Sequence, residues 1–149
     1  MQTLAAALGN ASTAQVTTVK ALPNVLSNDT SGFAPALAAA KDADQVVLYL
    51  GIDGSVEGEG RDRTPDSPAG VGLPPTQIAL AKAVLDACPS KKVVVVLING
   101  GQLSIDWLSA NAPAIVEAWY PGTIRSLPID FVCSSRHGND QFTFHDICT

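Results

Sequence analysis

Three short runs of almost unbroken apolar residues, Gln45–Leu50, Lys92–Ile98 and Ala114–Trp119, alternate with stretches whose apolar positions recur at helical spacing. The runs are too short for helices, and the second is strongly β-branched from Val93 onward, so they predict strands. The nearly continuous apolar character of Gln45–Leu50 suits a strand covered on both faces. Between the runs, Phe33–Ala43 places Phe33, Leu37 and Ala40 on one helical face, and Pro35 is tolerated because it falls in the first turn. Ser31 stands where a cap would, with Gly32 intervening. A second helix, Gln77–Ala87, is opened by Pro75 and Thr76 and ended by Pro89-Ser90; Ile78, Leu80, Ala81, Val84 and Leu85 supply its apolar positions. Trp107–Ala110 predicts a short helix, and the poorly alternating Gln15–Lys20 a short strand. Helix and strand in alternation imply a parallel sheet with right-handed crossovers. The expected fold class is therefore α/β, a Rossmann-like or flavodoxin-like parallel-sheet sandwich with at least three parallel strands.

Composition narrows the function classes. The 149 residues are enough for one domain with a real core, and 46% apolar against 15% charged content argues against disorder. Nine basic residues are scattered and the net charge is −5, so no basic stripe exists and a nucleic-acid partner is not expected. The longest fully apolar run, Val93–Ile98, is far too short to span a bilayer, so no membrane partner is expected. The start, Met1 to Gly9, lacks the positive segment and apolar stretch of a signal peptide, so the chain as written is expected in the cytosol. The sequons Asn10-Ala-Ser12 and Asn28-Asp-Thr30 would matter only in a secreted protein. Three cysteines without tight spacing give no disulfide framework, and Cys88 reads as a small buried apolar residue.

Candidate chemistry concentrates in the loop after the first long strand, Gly51-Ile-Asp-Gly-Ser-Val-Glu-Gly-Glu-Gly-Arg-Asp-Arg63. In open α/β sheets the loop beyond a strand's carboxyl end is where ligands bind, and glycines let the backbone turn sharply there. Residues 52–74 form a loop of unusual length, which is itself a functional signal. Taken alone, Glu57 and Glu59 read most simply as a solvated acidic loop, as do Asp53, Arg61 and Asp66. Asn99-Gly100-Gly101 and Tyr120-Pro121-Gly122 follow the next strands on the same expected edge and read as turns. Trp107 and Trp119 read as core residues before sugar platforms.

The segment Ser31 to Asp44, the strand after it, Gly51-Ile-Asp53, Val56-Glu-Gly-Glu-Gly-Arg-Asp-Arg63, Leu73-Pro-Pro-Thr-Gln77, Val93 to Gly101 and Trp119-Tyr-Pro-Gly122 occur in an order that resembles glycoside hydrolase family 3. The similarity is greatest to its β-xylosidase and arabinosidase branch and covers about residues 31–122. The resemblance implies a parent with a (β/α)8-like barrel carrying an aspartate nucleophile, followed by an α/β sandwich whose loop carries the acid/base glutamate. Only the sandwich is matched. The chain then divides into 1–30, of weak resemblance, a partial family 3 C-terminal domain at 31–122, and a divergent tail at 123–149, where Thr123-Ile-Arg-Ser126 departs from the family's Gly-rich continuation. A truncated product, or gene boundaries misplaced at both ends, is the expectation. Family members are commonly secreted.

The resemblance makes Glu59, in Glu-Gly-x-Asp-Arg, the expected acid/base, with Glu57 as second choice and Asp62 and Arg63 as substrate-binding or loop-shaping residues. The parent would be a retaining exo-β-xylosidase acting on xylo-oligosaccharides. Retention needs a nucleophile and an acid about 5–5.5 Å apart across the scissile bond. Glu57 and Glu59 on one short loop do not readily flank a sugar from opposite sides, so they are not that pair. The chain alone is expected to be inactive, its oligosaccharide substrate engaged only with the absent barrel. The alternative is a stand-alone carbohydrate-binding or non-catalytic interaction domain. No cofactor is expected: Gly58-Glu-Gly60 is followed by Arg63 and a Pro-containing loop rather than a phosphate-binding helix. No metal is expected either, because Cys133, His137, His145 and Cys148 have spacing that matches no compact zinc module. Oligomeric state is not readable from the sequence.

Overall fold

The structure is a computed structural model that describes residues 15–67, 69–89, 92–120 and 130–135. Its strands are β1 (Gln15–Lys20), β2 (Gln45–Gly51), β3 (Lys92–Ile98), β4 (Ala114–Glu117) and β5 (Asp130–Ser135). Its helices are α1 (Phe33–Asp42), α2 (Pro75–Ala87) and α3 (Asp106–Asn111). The strands form one sheet in the order β1-β5-β2-β3-β4. β2, β3 and β4 run parallel, and β5 lies antiparallel between β1 and β2. The expected parallel α/β core is present. The strand between β1 and β2 comes from the tail, whose sequence shows neither alternation nor helical spacing around it.

The core forms where helical and strand patterns meet. Val46, Leu48 and Leu50 of β2 and Val93, Val95 and Leu97 of β3 are buried together with Ala36 and Ala40 of α1, Leu80, Ala81 and Val84 of α2 and Leu108 of α3. Small alanines at the α1 contact let that helix approach the sheet closely. A fully buried leucine or valine of this kind contributes about 1.5–3 kcal/mol. The other face of β2 differs from the sequence reading: Gln45, Val47 and Tyr49 are only half-buried, so the strand alternates rather than being sealed on both sides. Large apolar side chains on both faces mask that alternation in the sequence.

One buried polar residue fixes where the β2 loop begins. Gln77, fully buried in the first turn of α2, accepts the Gly51 N–H at 2.9 Å and donates to the Gly51 and Val25 carbonyls at 2.7 and 2.9 Å. Buried amides persist only when satisfied in this way. The parallel pairing places the carboxyl ends of β2, β3 and β4 side by side, with Ile52 N–H bonded to the Ile98 carbonyl and Ala118 N–H to the Leu97 carbonyl, each at 2.9 Å. Three loops therefore emerge on one edge: 52–74, 99–105 and 118–120.

Candidate functional site

A cleft of about 850 Å³ lies on that edge, lined by residues of all three loops. The β2 loop enters it through a single helical turn. Asp53 begins the turn: its carboxylate accepts the Ser55 N–H at 2.9 Å and the Ser55 hydroxyl at 2.5 Å. Its carbonyl accepts the N–H groups of Val56 and Glu57 at 2.9 and 3.1 Å. This is the way an aspartate caps a helix, and it aims Glu57 inward. The expected solvated charge at Asp53 is thus a capping residue.

Glu57 meets the other two loops. Its Oε1 accepts the Gly100 N–H at 2.6 Å and the Tyr120 hydroxyl at 2.5 Å, and the Gly101 N–H lies 3.2 Å from each carboxylate oxygen. Arg63 Nε stands 3.7 Å from Oε2, and the side chains of Arg63 and Glu57 are 7% and 13% exposed. Two glycines are needed here because a Cβ on Gly100 would lie 2.6 Å from the Tyr120 ring, and one on Gly101 would lie 2.8 Å from Glu57 Oε2. Burial raises the Glu57 carboxyl, but the Tyr120 hydroxyl, the Gly100 and Gly101 N–H groups and the Arg63 charge outweigh it and hold it below the ordinary carboxylate range. Burial, together with the hydrogen bond and charge of Glu57 and the charge of Asp53, pushes the Tyr120 phenol well above the ordinary tyrosine range.

Glu59 has the opposite surroundings. Gly58 and Arg61 pair as an isolated antiparallel bridge, with Arg61 N–H on the Gly58 carbonyl at 3.0 Å. Gly60, third in this four-residue turn, has φ +69°, as a type II turn demands. Glu59 is therefore the exposed tip of a tight turn whose two ends line the cleft. Arg61 is exposed and steadies the turn through the Gly54 carbonyl at 3.3 Å.

Asp62 and Arg63 part ways. Asp62 is exposed and lines the cleft. Arg63 also lines it, but its guanidinium is engaged by Glu57, by the Gly72 carbonyl at 3.3 Å and by the Gln102 carbonyl. It holds the two ends of the β2 loop against the β3 loop. Among the described residues no group of three or more His, Cys, Asp and Glu side chains converges as a metal site, and no helix is long and apolar enough to cross a membrane. Cys133 lies on β5, whereas the sequon at Asn10 and the residues His137, His145 and Cys148 lie outside the described residues.

The sequence reading missed Gly100, Gly101 and Tyr120 as partners of the acidic loop. A usable signal exists: consecutive glycines just beyond a parallel strand expose successive N–H groups, which form an anion-holding concavity. Trp119 also differs from the expected core residue. It is 54% exposed and has φ +53°, so the chain turns sharply after β4, just before Tyr120.

The profile of the glycosyl hydrolase family 3 C-terminal domain matches residues 2–127. A β-xylosidase of Formosa agariphila is 43% identical over 91 residues, which are 61% of this chain and 12% of that protein. An exo-α-(1→6)-L-arabinopyranosidase of Bifidobacterium longum is 42% identical over 88 residues, 58% of this chain and 11% of that protein. The crystal structure of a β-glucosidase from Kluyveromyces marxianus in complex with glucose superposes with a TM-score of 0.52 at 34% identity, over 63% of this chain and 10% of that one. The chain thus spans about a tenth of the length of these relatives. With its parallel α/β sheet, its acidic loop and this profile match in agreement, the chain belongs to glycosyl hydrolase family 3, within the C-terminal domain of that family.

Proposed function

We propose that this chain is the acid/base-bearing part of a retaining exo-β-xylosidase, with Glu59 as the proton donor and acceptor. The observation that carries the reading is the division of labour between two glutamates two residues apart. Glu57 is saturated with donors and held ionised, which suits an anchor and not a general acid. Glu59 stands exposed at the tip of a defined turn with no hydrogen bond to another described residue, where a second domain closing over the cleft would cover it. Such a carboxyl protonates the departing sugar oxygen and then, as carboxylate, activates water. Asp62 on the cleft wall is suited to accept hydrogen bonds from sugar hydroxyls. The nucleophile and most of the sugar-reading surface belong to a barrel, so this chain by itself does not hydrolyse xylosides.

Glu57 as the proton donor is the second reading, favoured by its place in the cleft lining. It requires the Gly100, Gly101, Tyr120 and Arg63 contacts to be given up first.

The test is a fusion in which residues of this chain replace the matching segment of the Formosa agariphila β-xylosidase. Hydrolysis of xylobiose by the fusion, and none by the 149-residue chain, is the expected result. Xylobiose hydrolysis by the chain alone, lost on Glu59→Gln, would overturn the need for a barrel.

A further inference from the structure

We infer that Glu57 is a positioning residue: an internal anion that ties the 52–74 loop to the turn after β3 and so fixes where the Gly58–Arg61 turn presents Glu59. The catalytic consequence rests on the reading of Glu59 above; the tie itself is a property of this chain. Gly100 and Gly101 offer successive N–H groups to one carboxylate, Tyr120 closes the site with its hydroxyl, and Arg63 flanks it. Together they form a built anion site whose occupant is supplied by the chain. Arg63 extends the same anchor to the Gly72 and Gln102 carbonyls, so both ends of a long loop are held from one point. Only Gly58 separates Glu57 from Glu59. Two residues reach about 7 Å at full extension, so a pinned Glu57 leaves Glu59 little room to wander. A proton donor misplaced by about 1 Å can cost about 10²-fold in rate, so such a leash has catalytic weight.

The experiment is amide NMR of the full chain as wild type, Glu57→Ala and Glu57→Gln. In Glu57→Ala the Gly58–Arg61 amides are expected to lose their heteronuclear NOE while the β2 and β3 amides keep their shifts. Added sodium formate should then move the Gly100 and Gly101 signals saturably back toward the wild-type positions without stiffening the turn, because formate fills the site but carries no leash. Glu57→Gln, which keeps a tethered oxygen acceptor, should retain an ordered turn. A turn as rigid in Glu57→Ala as in wild type, or formate shifts no larger than in wild type, overturns the inference. If Glu57→Ala does not fold, Tyr120→Phe serves instead: it removes one donor, and an unaltered turn NOE overturns the inference equally.

Activity is read separately in the fusion. Glu57→Ala is expected to lower kcat about 10²-fold, with most of it restored in Glu57→Gln. An unchanged kcat in Glu57→Ala overturns the positioning role. Failure of the Glu59 reading would show instead as an unchanged kcat in Glu59→Gln, with the NMR results standing.

Discussion

Tyr120 and Glu57, 63 residues apart in sequence, share a hydrogen bond of 2.5 Å across the cleft. The bond joins the loop after β2 to the segment after β4 over the backbone of the β3 turn, so one contact draws all three carboxyl-edge loops together. A hydrogen bond to a charged acceptor contributes about 1.5–3 kcal/mol, so Tyr120→Phe should lower unfolding free energy by roughly that amount in denaturant titration. The raised Tyr120 pKa adds stability that is complete below the unfolded tyrosine value of about 10 and is lost as pH rises through the folded one. Phenolate absorbance should therefore show one tyrosine ionising late in wild type and earlier in Glu57→Gln.

Acid should act on the same contact from the other side. Glu57 titrates below its unfolded value, so its stabilisation is complete above the unfolded glutamate pKa of about 4.3 and is lost as pH falls through the folded value. The groups facing it are Tyr120 and Arg63, with the N–H dipoles of Gly100 and Gly101. Glu57→Gln should be less stable than wild type at neutral pH and converge on it in strong acid. A stability gap that persists unchanged to low pH would contradict the ionised clamp.

Glycines in the loops should not respond alike. At Gly54 a Cβ meets nothing within 4 Å, so Gly54→Ala should be near neutral. Gly60→Ala finds space but a left-handed backbone, and should cost about 1–2 kcal/mol. Gly100→Ala and Gly101→Ala drive a methyl into Tyr120 or Glu57 and should release the clamp. Thermal unfolding of the four variants checks this order.

Gln77→Leu tests the start of the loop rather than its anchor. It strips the Gly51 N–H and the Gly51 and Val25 carbonyls of their side-chain partner inside the core. At about 1–3 kcal/mol for each buried group left unsatisfied, the loss should exceed that of any exposed loop substitution in chemical denaturation.

Much of the fold was legible because local pattern and tertiary packing agree. Val46, Leu48 and Leu50 alternate with residues that face the less covered side, and Leu80, Ala81 and Val84 sit at helical spacing on the buried face of α2. The boundaries of β3 match its apolar run, whereas β4 stops at Glu117, short of Trp119, because Trp119 takes a left-handed backbone that no pattern of hydrophobicity signals. β5 was illegible for a related reason: its place in the sheet is set by partners more than a hundred residues away along the chain at β1, not by its own periodicity. In the site, the loop and both glutamates stood out by composition. Their different surroundings did not, because those depend on Gly100, Gly101 and Tyr120, which meet Glu57 only when three parallel strands end side by side. Arg63 shows the same dependence on tertiary structure: loop shaping by ion pairing was one of its two expected roles, but its partners, Glu57 and the Gly72 and Gln102 carbonyls, come together only in the fold.

The roles of the two glutamates are separated most directly by comparing Glu59→Gln and Glu57→Gln in the fusion enzyme, on xylobiose and on an aryl β-xyloside with an activated leaving group. General acid catalysis contributes about 10²–10⁴-fold and is needed least when the leaving group departs unaided. Glu59 as proton donor predicts a loss of that size on xylobiose in Glu59→Gln, a much smaller loss in the glycosylation step on the activated substrate, and no such leaving-group dependence in Glu57→Gln. The reverse assignment, with the leaving-group dependence appearing in Glu57→Gln and absent from Glu59→Gln, would contradict it.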